Sequence, residues 1–138
     1  MNAIATAPQH LVVRPSDAHI SNQGSHYAPG VSSETTGATS LFLGLITLAP
    51  GQRTLAHVHE HHESAHYMLS GEEVELWTGL GLQRRDLVRP GEFLFIPAGL
   101  PHVAVNRSHL PAVFVGARND ANLQESASLL PELDTLVP

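Results

Sequence analysis

Five of the chain's ten histidines fall inside ten residues, in the run HVHEHHESAH from His57 to His66. An imidazole titrates near neutral pH, so it can move a proton there, and in its neutral form it ligates transition metals. His57 and His59 are separated by one residue. In a strand, alternate side chains share a face, so these two would project together while Val58 points away, as two imidazoles holding one ion must. A sixth histidine stands in GEFLFIPAGLPHVAVN at 91–106, where Pro97 and Gly99 suit a tight turn and His102 opens the next strand. That strand can return a third imidazole to face the first pair. The chain has no cysteine, which leaves His, carboxylate and water as metal ligands.

Such residues need short strands to position them, and the texture of the chain supplies them. From residue 41 onward, β-branched and aromatic runs alternate with Gly and Pro, as in antiparallel strands joined by tight turns. The candidates are 41–48, 54–59, 65–71, 72–79, 86–90, 92–97, 102–106 and 112–118, which predicts an all-β barrel or sandwich over 41–120. Residues 1–40 mix Pro, Ser, Thr and Gly and read as an N-terminal arm with one short strand, packing on the barrel or on a neighbouring subunit. The tail at 121–138 carries prolines that limit it to a helical turn, and it is expected to pack on the barrel.

Composition narrows the function classes. The 138 residues suffice for one domain, and 42% hydrophobic with 14% charged content argues for a packed core. A formal charge of −6 with seven arginines and no lysine provides no basic stripe for nucleic acid. The longest apolar run, LFLGLITLAP at 41–50, is too short to span a bilayer. No secretory signal is visible at the start, so a cytoplasmic protein that touches neither nucleic acid nor membrane is the expectation.

The two histidine segments resemble the cupin superfamily. Its second motif, Gly-x5-Pro-x-Gly-x2-His-x3-Asn, matches at Gly91, Pro97, Gly99, His102 and Asn106. Its first, Gly-x5-His-x-His-x3–4-Glu-x6-Gly, matches at Gly51, His57, His59, Glu63 and Gly71, with one residue too many between the last two. Further stretches, SHYAPGVSSETTGA at 25–38, HESAHYMLSGE at 62–72 and NLQESASLLPELD at 122–134, look like small rhamnose-epimerase-like monocupins. The resemblance implies an antiparallel jelly-roll β-barrel, a homodimer, and one divalent transition metal on His57, His59, Glu63 and His102. Iron or manganese is favoured; zinc, nickel or copper also suits such ligands.

The extra residue bears on the fourth ligand. Counted back from Gly71, the usual carboxylate position holds Ser64, and strand parity would turn Ser64 inward rather than Glu63. A β-bulge could bring Glu63 in, His62 could serve instead, or water could complete a three-histidine site. His66 shares the parity of Ser64 and is a candidate proton relay. His61 reads as a solvated loop residue. Trp77 and Phe95 are candidates for the pocket mouth but more ordinary as packing, and Arg84, Arg85 and Arg89 for an anion site but more ordinary as exposed turn residues. Asn106 fits a turn-fixing role. The leading functional expectation is a dioxygenase-type metal enzyme acting on a small organic molecule. The alternatives are an isomerase, epimerase or lyase of a sugar or sugar-phosphate-like compound, and a non-catalytic small-molecule binder.

Overall fold

The computed structural model describes residues 7–14 and 19–138. Eleven strands are present among them: β1 His19–Ile20, β2 His26–Val31, β3 Phe42–Leu48, β4 His57–Val58, β5 Ser64–Ser70, β6 Val74–Thr78, β7 Arg84–Val88, β8 Phe93–Ile96, β9 His102–Val105, β10 Ala112–Arg118 and β11 Ser128–Leu129. They form two antiparallel sheets, one in the order β1-β2-β3-β10-β5-β8 and the other β11-β4-β9-β6-β7. The chain passes repeatedly between the sheets, as in a jelly roll. A single helical turn, α1, spans Ser33–Thr36, and a 3-10 helix spans Pro131–Leu136. No helix among the described residues is long and apolar enough to cross a membrane.

Side-chain alternation explains how the sheets close on each other. Along β10, Ala112, Phe114, Gly116 and Arg118 are buried while Val113, Val115 and Ala117 turn outward. One core lies between the sheets and comprises Leu48, Met68, Val74, Leu76, Val88, Ala112 and Phe114. A second lies on the outer side of the smaller sheet. There Val103 and Val105 of β9, with Ala56 and Leu82, are covered by Leu130, Leu133 and Val137 of the C-terminal segment.

That segment is latched as well as packed. Arg53 donates to the carbonyl oxygens of Asp134 and Val137, and the Asp134 carboxylate accepts from the Ala56 backbone N–H, one residue before His57.

Two features differ from the sequence expectation. The sheet begins before residue 41: β2, assigned above to the arm, pairs with β3 from His26↔Thr47 to Val31↔Leu43. Its Ala-Pro-Gly centre hid it, because Pro withholds a ladder donor, yet a register shift between Pro29 and Val31 accommodates the interruption. The candidate strand at 54–59 is reduced to His57–Val58 and an isolated bridge, Arg53↔Val105. Of the arm, residues 7–14 are described and adopt no regular structure, while 1–6 and 15–18 lie outside the described residues.

Candidate metal centre

Strands β4 and β9 pair at a single position, His57↔His102, which places two imidazoles side by side across the ladder. His59 follows two residues after His57 on the same face. Its backbone is fixed by the turn of the second motif, where the Gly99 N–H donates to the His59 carbonyl at 2.8 Å. Gly99 sits at φ +81°, a left-handed conformation that glycine adopts without steric penalty. The three rings are 4.2–5.1 Å apart between centroids. One ligand nitrogen from each lies within 4.8 Å of the others, and all three side chains are buried.

Hydrogen bonding sets which nitrogen faces that centre. Nδ1 of His57 donates to the Leu55 carbonyl at 2.6 Å, Nδ1 of His102 to the Leu100 carbonyl at 2.9 Å, and Nδ1 of His59 to the Ser126 carbonyl at 2.8 Å. A carbonyl oxygen only accepts, so each Nδ1 carries the proton and each neutral ring is left with an unprotonated Nε2. Burial is the main reason these rings resist protonation, holding His57 down at about 4, His102 well below its ordinary range and His59 below it. Three buried, unprotonated imidazole nitrogens gathered in one place, each ring oriented by a backbone acceptor, are the donor set a divalent transition metal takes. The residues fit such an ion.

A second group shares His59. The Glu125 carboxylate accepts from His62 Nε2 at 2.6 Å and from the Tyr27 hydroxyl at 2.9 Å, and lies 3.5 Å from His59 Nε2. His59, His62 and Glu125 also offer ligand atoms within 4.8 Å of one another. Burial alone would raise the Glu125 pKa. The His62 hydrogen bond, His59, Arg118 and the Tyr27 hydroxyl outweigh it and bring the group down to about 2. Burial, then the neighbouring Glu125, pushes the Tyr27 phenol up. Arg118, itself buried, lies 3.6 Å from the centre of the Phe42 ring.

The fourth-ligand expectation for Glu63 is corrected. Ser64 pairs with Ile96 and Arg118 and is the buried residue, so Glu63 is turned outward, with its backbone N–H held by the Asn119 side chain. β5 does carry a bulge, but at Leu69, where the step from Met68 to Ser70 opposes the single step from Phe114 to Val113, and it leaves Glu63 turned outward. His62 does point inward, where it meets Glu125 rather than His57 and His102. Sequence reasoning missed Glu125 because it lies 62 residues beyond Glu63 in a segment without strand or helix pattern. Its only local signal is one acid among small polar residues in NLQESAS.

The histidines open onto a cavity of about 80 Å³ whose walls include Ile46, Leu76, Leu94, Ile96 and Phe114. Among the described residues, no lysine or arginine lines it. His66 does, with its ring at right angles to that of Phe114, and its Nδ1 is buried without a protein partner. Burial holds the His66 imidazole down at about 4, hence neutral.

Other candidates lie elsewhere. His61 is exposed. Phe95 is on the outer face of its sheet, and Trp77 packs against the second core while donating to Glu75. Arg84, Arg85 and Arg89 pair with Asp86, Glu75 and Glu73 on β6, β7 and the loops beside them, away from the cavity. Asn106 is wholly buried, donating to the Leu48 and Leu110 carbonyls and accepting from Ser108, which ties the turn before β10.

Comparison with known proteins agrees with this fold. Over 91 residues the chain is 34% identical to the tetracenomycin polyketide synthase protein TcmJ of Streptomyces glaucescens; the match covers 65% of the chain and 58% of that protein's length. Among solved structures, an uncharacterised Klebsiella pneumoniae protein with a double-stranded β-helix domain superposes with a TM-score of 0.63 at 22% identity, covering 86% of this chain and 90% of the other. A predicted oxalate decarboxylase from Thermotoga maritima superposes with a TM-score of 0.65 at 21% identity, covering 79% and 98%. At these identities the two structures bear on the fold alone. Residues 44–117 match the family model of the cupin domain, and the chain belongs to the cupin family.

Proposed function

We propose that the protein is a metal-dependent enzyme of the dioxygenase type that holds one Fe or Mn ion on His57, His59 and His102 and takes a small, unphosphorylated organic molecule into the adjoining cavity. The observation that carries this reading is the shared hydrogen-bond pattern of the three rings, each giving its Nδ1 proton to a backbone carbonyl. When bound there, such an ion would supply redox and Lewis-acid chemistry. The chain's own residues do the rest. Ile46, Leu76, Leu94, Ile96 and Phe114 exclude water and orient an apolar skeleton, and His66, neutral and short of a partner, accepts or returns a proton.

Cavity chemistry selects the substrate class. Without a lysine or arginine in the wall, a phosphate would bring its charge into an apolar enclosure with no side-chain cation to meet it. A carbon skeleton bearing carbonyl or phenol oxygens suits the site better, and kinship with a polyketide synthase protein points the same way. His66 also supports a second reading, metal-assisted proton transfer in an isomerase or lyase, because a neutral base next to a polarised substrate oxygen is what that reaction needs.

Oxygen uptake by the iron- and manganese-loaded protein, measured against diketones and phenols, separates the two. Uptake that depends on substrate is expected. Turnover of an unphosphorylated keto compound without oxygen consumption would favour the isomerase, and tight binding without turnover would favour a non-catalytic carrier.

We also infer a homodimer, supported by the outer face of the larger sheet. Ala28, Leu45, Val115, Tyr67 and Phe93 form one row across five strands, and Leu43, Ala117, Ala65 and Phe95 form the next. No charged side chain interrupts either row. Phe93 is 82% exposed and Phe95 59%, an apolar surface that a second copy would cover.

A further inference from the structure

The first motif leaves this centre without a carboxylate: Glu63 faces outward and a serine occupies the inward place. Among the described residues, Glu125 is the one acid that lines the cavity. It comes from the segment after β10, outside the residues matched to the cupin domain.

Its two oxygens are unequally engaged. Oε1 accepts from the Tyr27 hydroxyl at 2.9 Å and from Gln23 Nε2 at 3.2 Å. Oε2 accepts from His62 at 2.6 Å, with Arg118 Nε at 3.9 Å, and is the oxygen turned to His59, 3.5 Å from Nε2. Because His59 gives its Nδ1 proton to Ser126, that contact sets an anionic oxygen beside an unprotonated lone pair. Two electron-rich atoms so placed in a buried site repel unless a cation or a second proton on the ring joins them.

The segment carrying Glu125 is built to hold its position. Arg118 donates to the carbonyl oxygens of Asp120, Asn122 and Leu123, and the Asp120 carboxylate accepts from the Ser126 N–H, whose own carbonyl orients His59. One short stretch thus addresses both nitrogens of a single histidine. Support of this density is what a ligand carboxylate requires to keep its aim.

We propose that Glu125 is the carboxylate ligand of the cation held by His57, His59 and His102, standing in for the glutamate of the first motif, with His62 as the residue that orients it. The assignment rests on the metal-centre reading above and specifies that reading's anionic ligand.

The test is titration of the purified, metal-free full chain with Co(II), followed by visible absorption. Wild type and E63Q should bind one equivalent with superimposable bands. E125Q should bind at least tenfold more weakly, with an altered band envelope. H62N, which removes the orienting partner but keeps the carboxylate, should retain the wild-type envelope. If E125Q does not fold, judged by its melting curve, E125D carries the same expectation, since it withdraws the oxygen by one methylene. Wild-type affinity and spectrum in E125Q or E125D would overturn the assignment, leaving Glu125 as a hydrogen-bond partner of His62 and Tyr27 outside the coordination shell. Failure of the wild type itself to bind Co(II) would instead overturn the metal centre.

Discussion

At the scale of single residues, three imidazoles share one electrostatic condition and should fail alike. Substituting His57, His59 or His102 by Ala is expected to lower metal occupancy to less than about a tenth of wild type by elemental analysis. Acid should destabilise the metal-free protein in a defined window. A histidine in the unfolded chain takes its proton near pH 6.5, whereas His57 in the folded chain takes it only near 4, so over that interval the unfolded state binds more protons and stability falls as pH falls. His57 alone contributes on the order of 3 kcal/mol to this loss. Glu125 extends it. Its carboxylate, held at about 2, contributes stability that is fully present above about 4.5 and is lost between there and pH 2. Urea midpoints measured from pH 7 to 3 should decline throughout, and a flat profile would contradict the lowered pKa values of His57 and Glu125. Sequence spacing brought His57, His59 and His102 together in advance because one alternation and one turn specify them. It could not identify Glu125, whose role arises from where an irregular segment happens to lie.

At the scale of elements, glycine makes room for His66, the candidate base of the cavity. Gly116 on β10 faces His66 across the pair with β5, and a Cβ there would sit 2.4 Å from Ile46 Cδ1 and 3.0 Å from His66 Cδ2. Gly116→Ala should therefore push the imidazole toward the cavity, at a stability loss of about 1–3 kcal/mol and with a turnover loss larger than any change in KM. A variant with unchanged kinetics would separate His66 from the chemistry. Arg118, at the end of the same strand, is stacked on Phe42 and shared among three carbonyls, so Arg118→Lys is not conservative. It should loosen the segment after β10 and weaken metal binding, read by hydrogen exchange at 119–126. Eight strands were legible in advance from alternation between turn residues, and the structure keeps each, though 54–59 only in part. What local pattern could not show was β2, broken by proline, or β1 and β11, two residues each and formed only because a neighbouring edge offers hydrogen bonds.

At the scale of the whole molecule, removal of the ion should be visible in melting. A ligand present at a hundred times its dissociation constant adds about 2.7 kcal/mol, which in a chain of this length corresponds to roughly 5–15 °C lost on chelation. The inferred dimer has its own measurement. Phe93→Glu places a charge in the apolar outer face and should halve the mass seen by light scattering without altering metal content, because Phe93 turns away from the centre. The cupin fold was legible because both motifs lie within the barrel, whereas residue 125 lies outside both motifs and outside residues 44–117 matched to the cupin domain. That placement has a temporal consequence. His57 and His59 are fixed from below by residue 134 latching Ala56 and from the side by the carbonyl of residue 126. During synthesis the first two imidazoles emerge from the ribosome long before the parts that orient them, so a nascent chain can assemble its sheets while remaining a poor chelator. Loading would then be deferred until some 75 further residues have been made, which limits capture of whatever ion the growing polypeptide meets first.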